Sequence, residues 1–153
     1  MEIQPTAKML LGTAVHNYLL SPAEYKHDNA SVVRPLAAAL KRTLGNLLPL
    51  SKPELAITAT FESEGFVLDY KGRIDLLVPK ILVIDLKVTD GDIEKTIGFF
   101  GYENQLSGYA IAADVPRAAI LAINTRTKQT TFREITVRDK WWAYQTKCFG
   151  RPK

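Results

Sequence analysis

The sequence predicts an α/β domain, a mixed central β-sheet flanked by helices, in the order ααββββαββα. Three observations predict it: two helical spacings near the N-terminus, a central stretch of apolar and β-branched residues cut by turn residues, and a return to helix and then strand after residue 92. At 153 residues the length suits one hydrophobic core, and residues 1–153 are read as one domain.

Thr6 to Leu20 places Met9, Leu10, Val15, Leu19 and Leu20 at helical spacing. It stops at Ser21-Pro22, because proline disfavours helix for the residue before it. A second helix is expected over Val32 to Leu44, with Gly45-Asn46 as its stop. Leu55 to Phe61 reads as a strand, and Glu62-Ser63-Glu64-Gly65 as a turn leading into a strand from Phe66 to Tyr70. Lys71-Gly72 punctuates, and Arg73 to Val78 and Ile81 to Val88 form two more strands about Pro79-Lys80. Asp90-Gly91-Asp92 makes a loop ending in a helix N-cap, and a long helix from Ile93 to Ala113 runs on to Pro116. Ala118 to Asn124 and Thr130 to Val137 are strands joined by a turn at Thr125-Arg126-Thr127-Lys128, and Asp139 to Phe149 closes the chain as an aromatic helix.

Composition narrows the function. The single cysteine, Cys148, cannot close an internal disulfide, build a four-thiolate zinc site or hold an iron–sulfur cluster. No apolar run approaches the roughly 20 residues of a membrane-spanning helix, and no basic-then-apolar leader is present, so a soluble cytoplasmic protein without a membrane partner is expected. The net charge of +4 is uneven: residues 1–114 hold 11 basic and 14 acidic side chains, whereas residues 115–153 hold 9 basic and 2 acidic. That imbalance allows an acidic locus in one segment and a polyanion-facing surface in the other, or simply a solvated basic end.

The informative stretch runs from Gly72 to Lys87. Ile81 to Lys87 is apolar except for Asp85 and Lys87, which project on one side of a strand while Leu86 points to the core. Asp75 lies in the preceding strand, with Ile74 and Leu76 facing away from it, and a hairpin about Pro79-Lys80 brings Asp75 close to Asp85. Converging carboxylates repel, and a hard divalent cation such as Mg²⁺ or Mn²⁺ relieves the repulsion. A neighbouring lysine can then orient or deprotonate an attacking water. The bland alternative is a buried Asp–Lys ion pair closing a sheet edge, and an isolated D-x-K triplet usually means that.

Asp75 followed by Asp85-Leu86-Lys87 resembles the PD-(D/E)XK nuclease signature, with isoleucine where the family has proline before the first aspartate. Gly12 to His16, followed by Leu19-Leu20-Ser21-Pro22-Ala23-Glu24-Tyr25, resembles the G-x-x-x-H helix and leucine–proline–acidic–aromatic segment of RecE-type exonucleases. Gln105 to Tyr109 resembles the Q-x-x-x-Y motif of the RecB, AddB and RecE branches. The resemblance spans residues 9 to 113. It implies the PD-(D/E)XK core, DNA as partner, and Mg²⁺ or Mn²⁺ held by His16, Asp75, Asp85 and the Leu86 backbone carbonyl. Lys87 would activate the water, and Glu54 would hold a second metal or orient Lys87, a place for which Glu62 competes. Gln105 and Tyr109 would brace the site or touch the phosphate backbone; the bland reading of this pair is a polar stripe packing the helix on the sheet.

Arg126 and Lys128 at a hairpin tip, and Lys140 and Lys147 beside Trp141, Trp142 and Tyr144, are candidate DNA contacts; equally they are solvated, with the rings locking the terminal helix onto the sheet. The expected activity is hydrolysis of DNA phosphodiesters from duplex ends, as in phage or prophage recombination, with processivity supplied by self-assembly or a recombination partner. A structure-specific or nicking endonuclease, a catalytically idle nucleic-acid-binding module and a purely structural domain are the rival expectations.

Overall fold

The computed structural model describes residues 6–25, 30–95, 101–138 and 151–152. Helix α1 (Ala7–Leu20) starts at Thr6, whose hydroxyl accepts from the Met9 amide as an N-cap. A short 3-10 turn (Pro22–Glu24) precedes α2 (Ala30–Leu44) and the one-turn α3 (Leu47–Leu50). Strands β1 (Lys52–Ser63), β2 (Phe66–Val78) and β3 (Leu82–Thr89) follow, then α4 (Tyr102–Ala112), β4 (Arg117–Asn124), β5 (Thr130–Ile135) and the two-residue β6 (Arg151–Pro152). The sheet order is β1-β2-β3-β4-β5, with β6 on β2. Among the described strands only β3 and β4 run parallel, and the connection between them carries α4.

This is the mixed sheet flanked by helices that the sequence predicts, with local differences. The strands expected at Phe66–Tyr70 and Arg73–Val78 are one continuous strand, so three strands rather than four precede α4. Gly72 does not break that strand. It pairs with Ile57, and a Cβ built on it would lie 2.4 Å from Tyr109 Cε1, so the glycine marks a close approach of α4 rather than a turn. The helix expected from Ile93 to Ala113 is not one continuous helix: Gly101 takes a left-handed φ of 63°, and α4 starts immediately after it. α3 was not expected, β1 begins earlier than Leu55, and β5 ends before Val137. The terminal helix expected over 139–149 lies outside the described residues.

Two apolar clusters fill the two faces of the sheet. On one, α1 and α2 bury Val15, Val33, Leu36 and Leu40 against Leu76, Ile84, Leu86, Leu121 and Ile123. On the other, Leu106, Tyr109 and Ala110 of α4 cover Ile74, Val83, Ile120 and Ala122. Each fully buried Leu or Ile side chain is worth about 1.5–3 kcal/mol relative to exposure, so these clusters dominate the holding of helices to sheet. Met9 and Leu10, expected in the apolar stripe of α1, are instead 56% and 48% exposed.

The site depends on how β2 meets β3. The turn through residues 79–81 closes with the Ile81 amide on the Val78 carbonyl, and pairing runs only from Val78↔Leu82 to Leu76↔Ile84. Residues i and i+2 of a regular strand share a face. Ile74, however, packs on the α4 side, whereas Leu76 and Val78 pack on the α1/α2 side. The strand therefore changes face at Asp75, which corrects the expectation that Ile74 and Leu76 lie together opposite Asp75. Across from this point in β1, Glu54 takes a left-handed φ of 50°. Beyond Asp75, β2 pairs with β1 and leaves the edge of β3.

Candidate active site

Where β2 departs, the main-chain groups of Leu86 lose a strand partner and must find others. Two side chains supply them. The Leu86 amide donates to Asp75 Oδ2 at 2.7 Å, and His16 Nε2 donates to the Leu86 carbonyl at 3.1 Å. His16 Nδ1 in turn lies 3.6 Å from Asp75 Oδ1. The residue register places Asp85 opposite Asp75 one step beyond the Leu76↔Ile84 pair, and Asp85 Oδ2 lies 2.9 Å from Lys87 Nζ. That oxygen is buried, and the Lys87 ammonium is the charge that faces it. Four of the sequence-predicted site residues, His16, Asp75, Asp85 and Lys87, thus meet around the Leu86 backbone.

The electrostatics follow from burial and charge crowding. Burial, reinforced by the neighbouring Asp85 charge, pushes the Asp75 carboxyl up to about 7. Burial pulls the His16 imidazole below its ordinary value despite the opposing pull of Asp85 and Leu86, so the ring is neutral at pH 7. Burial also works against the Lys87 ammonium, but Asp85, Tyr102 and Asp75 together outweigh it and hold its pKa above the usual value. Lys87 is therefore a cation, further seated 4.4 Å from the centre of the Tyr102 ring.

Gln105 and Tyr109 share a face of α4, as expected, with Gln105 Nε2 donating to the Tyr109 hydroxyl at 3.0 Å. Burial and the charges of Asp85 and Asp75 raise the Tyr109 pKa against the Gln105 hydrogen bond, so the phenol stays protonated beside the carboxylates. Glu54, expected to hold a second metal or to orient Lys87, accepts at Oε2 from Ser21 Oγ at 2.6 Å and Arg73 Nη2 at 2.8 Å. Glu62 sits opposite Val67 near the hairpin tip, well along β1 from Asp75. Ser21, Arg73 and Tyr102 were not singled out as partners of the site. Ser21 and Arg73 become partners only through the fold, while Tyr102 carried one signal, its place one turn before Gln105.

The expected acidic and basic halves are stitched together. Arg133 pairs with Glu94, Arg138 with Glu103 and Arg151 with Asp69, and Arg117 pairs with Glu134 within its own segment. Arg126 and Lys128 occupy the β4–β5 turn, where the Arg126 charge reaches Asp90; Lys140 and Lys147 lie outside the described residues.

Among the described residues no group of three or more His, Cys, Asp or Glu is spaced as a ready metal cage. The donor types still fit a hard divalent cation: two carboxylates, a carbonyl oxygen and an imidazole face one another around Leu86. Each donor is at present held by its neighbour, so cation entry has to displace Lys87 from Asp85 and His16 from Leu86.

No protein-family profile and no curated protein matches the sequence. Solved structures do. A candidate exonuclease from Eubacterium rectale aligns over 97% of this chain with a TM-score of 0.66 and 15% identity, and the chain spans 65% of that protein's length. The protein SSO0001 aligns over 95% of this chain and 76% of its own, with a TM-score of 0.54 and 15% identity. At that identity the likeness is one of fold. The chain shares the mixed α/β architecture of these structures, the fold class that the sequence predicts. No helix among the described residues is long and apolar enough to cross a membrane.

Proposed function

We propose that this chain is one PD-(D/E)XK nuclease domain that hydrolyses DNA phosphodiesters with Mg²⁺ or Mn²⁺, in the manner of RecE-like exonucleases acting from DNA ends in recombination or DNA processing. The observation that carries the reading is the convergence of Asp75, Asp85, His16 and Lys87 on the Leu86 backbone where β2 leaves β3. The candidate exonuclease among the structural neighbours supports it.

A bound divalent cation would stabilise charge on the scissile phosphate and acidify the attacking water. Asp75, Asp85, the Leu86 carbonyl and His16 are the groups to hold it. Lys87, a cation beside Asp85, orients the water by donating to it and offsets negative charge as the phosphate is attacked. Tyr109, held by Gln105, keeps a phenolic proton on the α4 side, within the field of both carboxylates. Glu54 positions the β1 side of the site through Ser21 and Arg73. Arg126 and Lys128, with Lys140 and Lys147, contact the DNA backbone, so binding weakens with salt and shows little base preference.

End-labelled linear and covalently closed circular DNA, each incubated with Mg²⁺ or Mn²⁺, test the reading. Digestion of the linear form alone is expected. Nicking of the circle turns the assignment to an endonuclease of the same fold, and cleavage of neither overturns it in favour of a binding module.

A further inference from the structure

Gly12 occupies the interior of α1, where glycine is the poorest helix former after proline. Neither usual reason for a glycine applies. Its φ is not among the left-handed values of the chain, and a Cβ built on it meets no described atom within 4 Å outside its own helix. Fold and packing would both accept a better helix former. The space left open belongs to a groove of about 410 Å³ between α1 and β3, lined by Met9, Gly12, Thr13, His16, Lys87 and Val88. His16 follows Gly12 by one turn on the same helix face, so the groove borders the site at His16, Leu86 and Lys87. Its other walls are Lys87, whose Nζ lies 2.9 Å from Asp85 Oδ2, Lys8, which pairs with Asp90, the exposed Thr13 and the exposed Met9.

We infer that this groove seats the DNA strand next to the scissile phosphate, with Gly12 as the point where the sugar–phosphate backbone comes against the helix and Met9 as an apolar platform for the adjoining base. The inference rests on the proposed nuclease function and adds to it a substrate subsite and a positioning residue. A glycine retained against helix propensity then serves clearance for a molecule outside the chain.

The test compares the parent with Gly12→Ala and Gly12→Leu in three measurements: melting temperature, its change on adding Mn²⁺, and affinity for a short blunt duplex by fluorescence anisotropy in Ca²⁺. Gly12→Ala is expected to raise the melting temperature by about 2–4 °C, since the added methyl has room and favours helix. Both variants are expected to keep the parental Mn²⁺ response, while Gly12→Leu lowers duplex affinity about tenfold or more. Parental affinity and digestion in Gly12→Leu would overturn the groove assignment and leave the nuclease reading standing. A lowered melting temperature or lost Mn²⁺ response in Gly12→Ala would overturn it too, by showing that the glycine serves the protein's own packing. A parent that neither binds nor cuts DNA removes the proposed function, and the subsite with it.

Discussion

The two helices that wall the carboxylate site meet the sheet in opposite ways, and a glycine reports on each. On the α4 side, Gly72 of β2 lies under the Tyr109 ring so closely that any Cβ there would collide with it. On the α1 side, Gly12 faces open space. One wall is keyed to the sheet by contact, with Tyr109 tied to Gln105 and Tyr102 set against Lys87. The other touches the site mainly through the His16 ring and otherwise leaves a groove. A filled wall fixes where the reacting groups stand, and an open wall lets a substrate reach them. The same residue type, at two positions around one site, serves those opposite ends.

The largest effect is expected between the walls. Asp85→Asn and Lys87→Ala are each expected to lower the rate of end-labelled DNA digestion by about 10²–10⁴-fold. Asp85→Asn should also abolish any rise in melting temperature with Mn²⁺. Unchanged digestion in both variants would mean that the walls enclose a structural ion pair.

Next in size is the pH response of the metal-free protein. Asp75 is pushed up from 3.8 to about 7 when folded, so its protonated form is favoured by folding. That contribution is full below about 3.8 and is lost as pH rises through about 7. Urea unfolding should show stability falling over this window by up to a few kcal/mol, and Asp75→Asn should flatten the fall. A wild-type slope surviving in Asp75→Asn would assign the effect elsewhere.

The keyed wall itself is tested by Gly72→Ala, which forces the Tyr109 ring aside and should cost about 1–3 kcal/mol in urea unfolding. A neutral result there, beside a stabilising Gly12→Ala, would erase the contrast between the walls. Tyr109→Phe is the mildest probe. It removes the acceptor of the 3.0 Å bond from Gln105 and should cost about 1 kcal/mol while leaving the ring on Gly72.

The juxtaposition of Asp75 and Asp85 was legible in the sequence because a tight turn at Pro79-Lys80 sets the antiparallel register of its flanks. Lys87 followed from period-two alternation, and the Gln105–Tyr109 pair from helical spacing. The change of face at Asp75 was not legible. It requires β1 to bend in step at Glu54, a property of two paired strands rather than of either alone. Lys71-Gly72 misled because glycine in a strand looks like a break until the ring of α4 is set over it. The charge asymmetry was legible, but its local pairing was not, since Glu94, Glu103 and Asp69 come from the acidic segment to meet arginines of the basic one. Linear charge counts carry no information about such pairing between distant segments.

One consequence of the departure of β2 concerns heredity rather than chemistry. The two groups at the centre of the site, the amide and carbonyl of residue 86, are main-chain atoms that every amino acid except proline provides in full. The leucine side chain itself is buried, 1% exposed, in the cluster beneath α1 and α2. The codon at position 86 is therefore constrained only by volume and polarity, and isoleucine, valine or methionine should drift in at little cost while positions 85 and 87 stand still. In a saturation-mutagenesis library selected for DNA digestion, the middle of the triplet should read as permissive among apolar residues and closed to proline, between two neighbours that tolerate almost nothing.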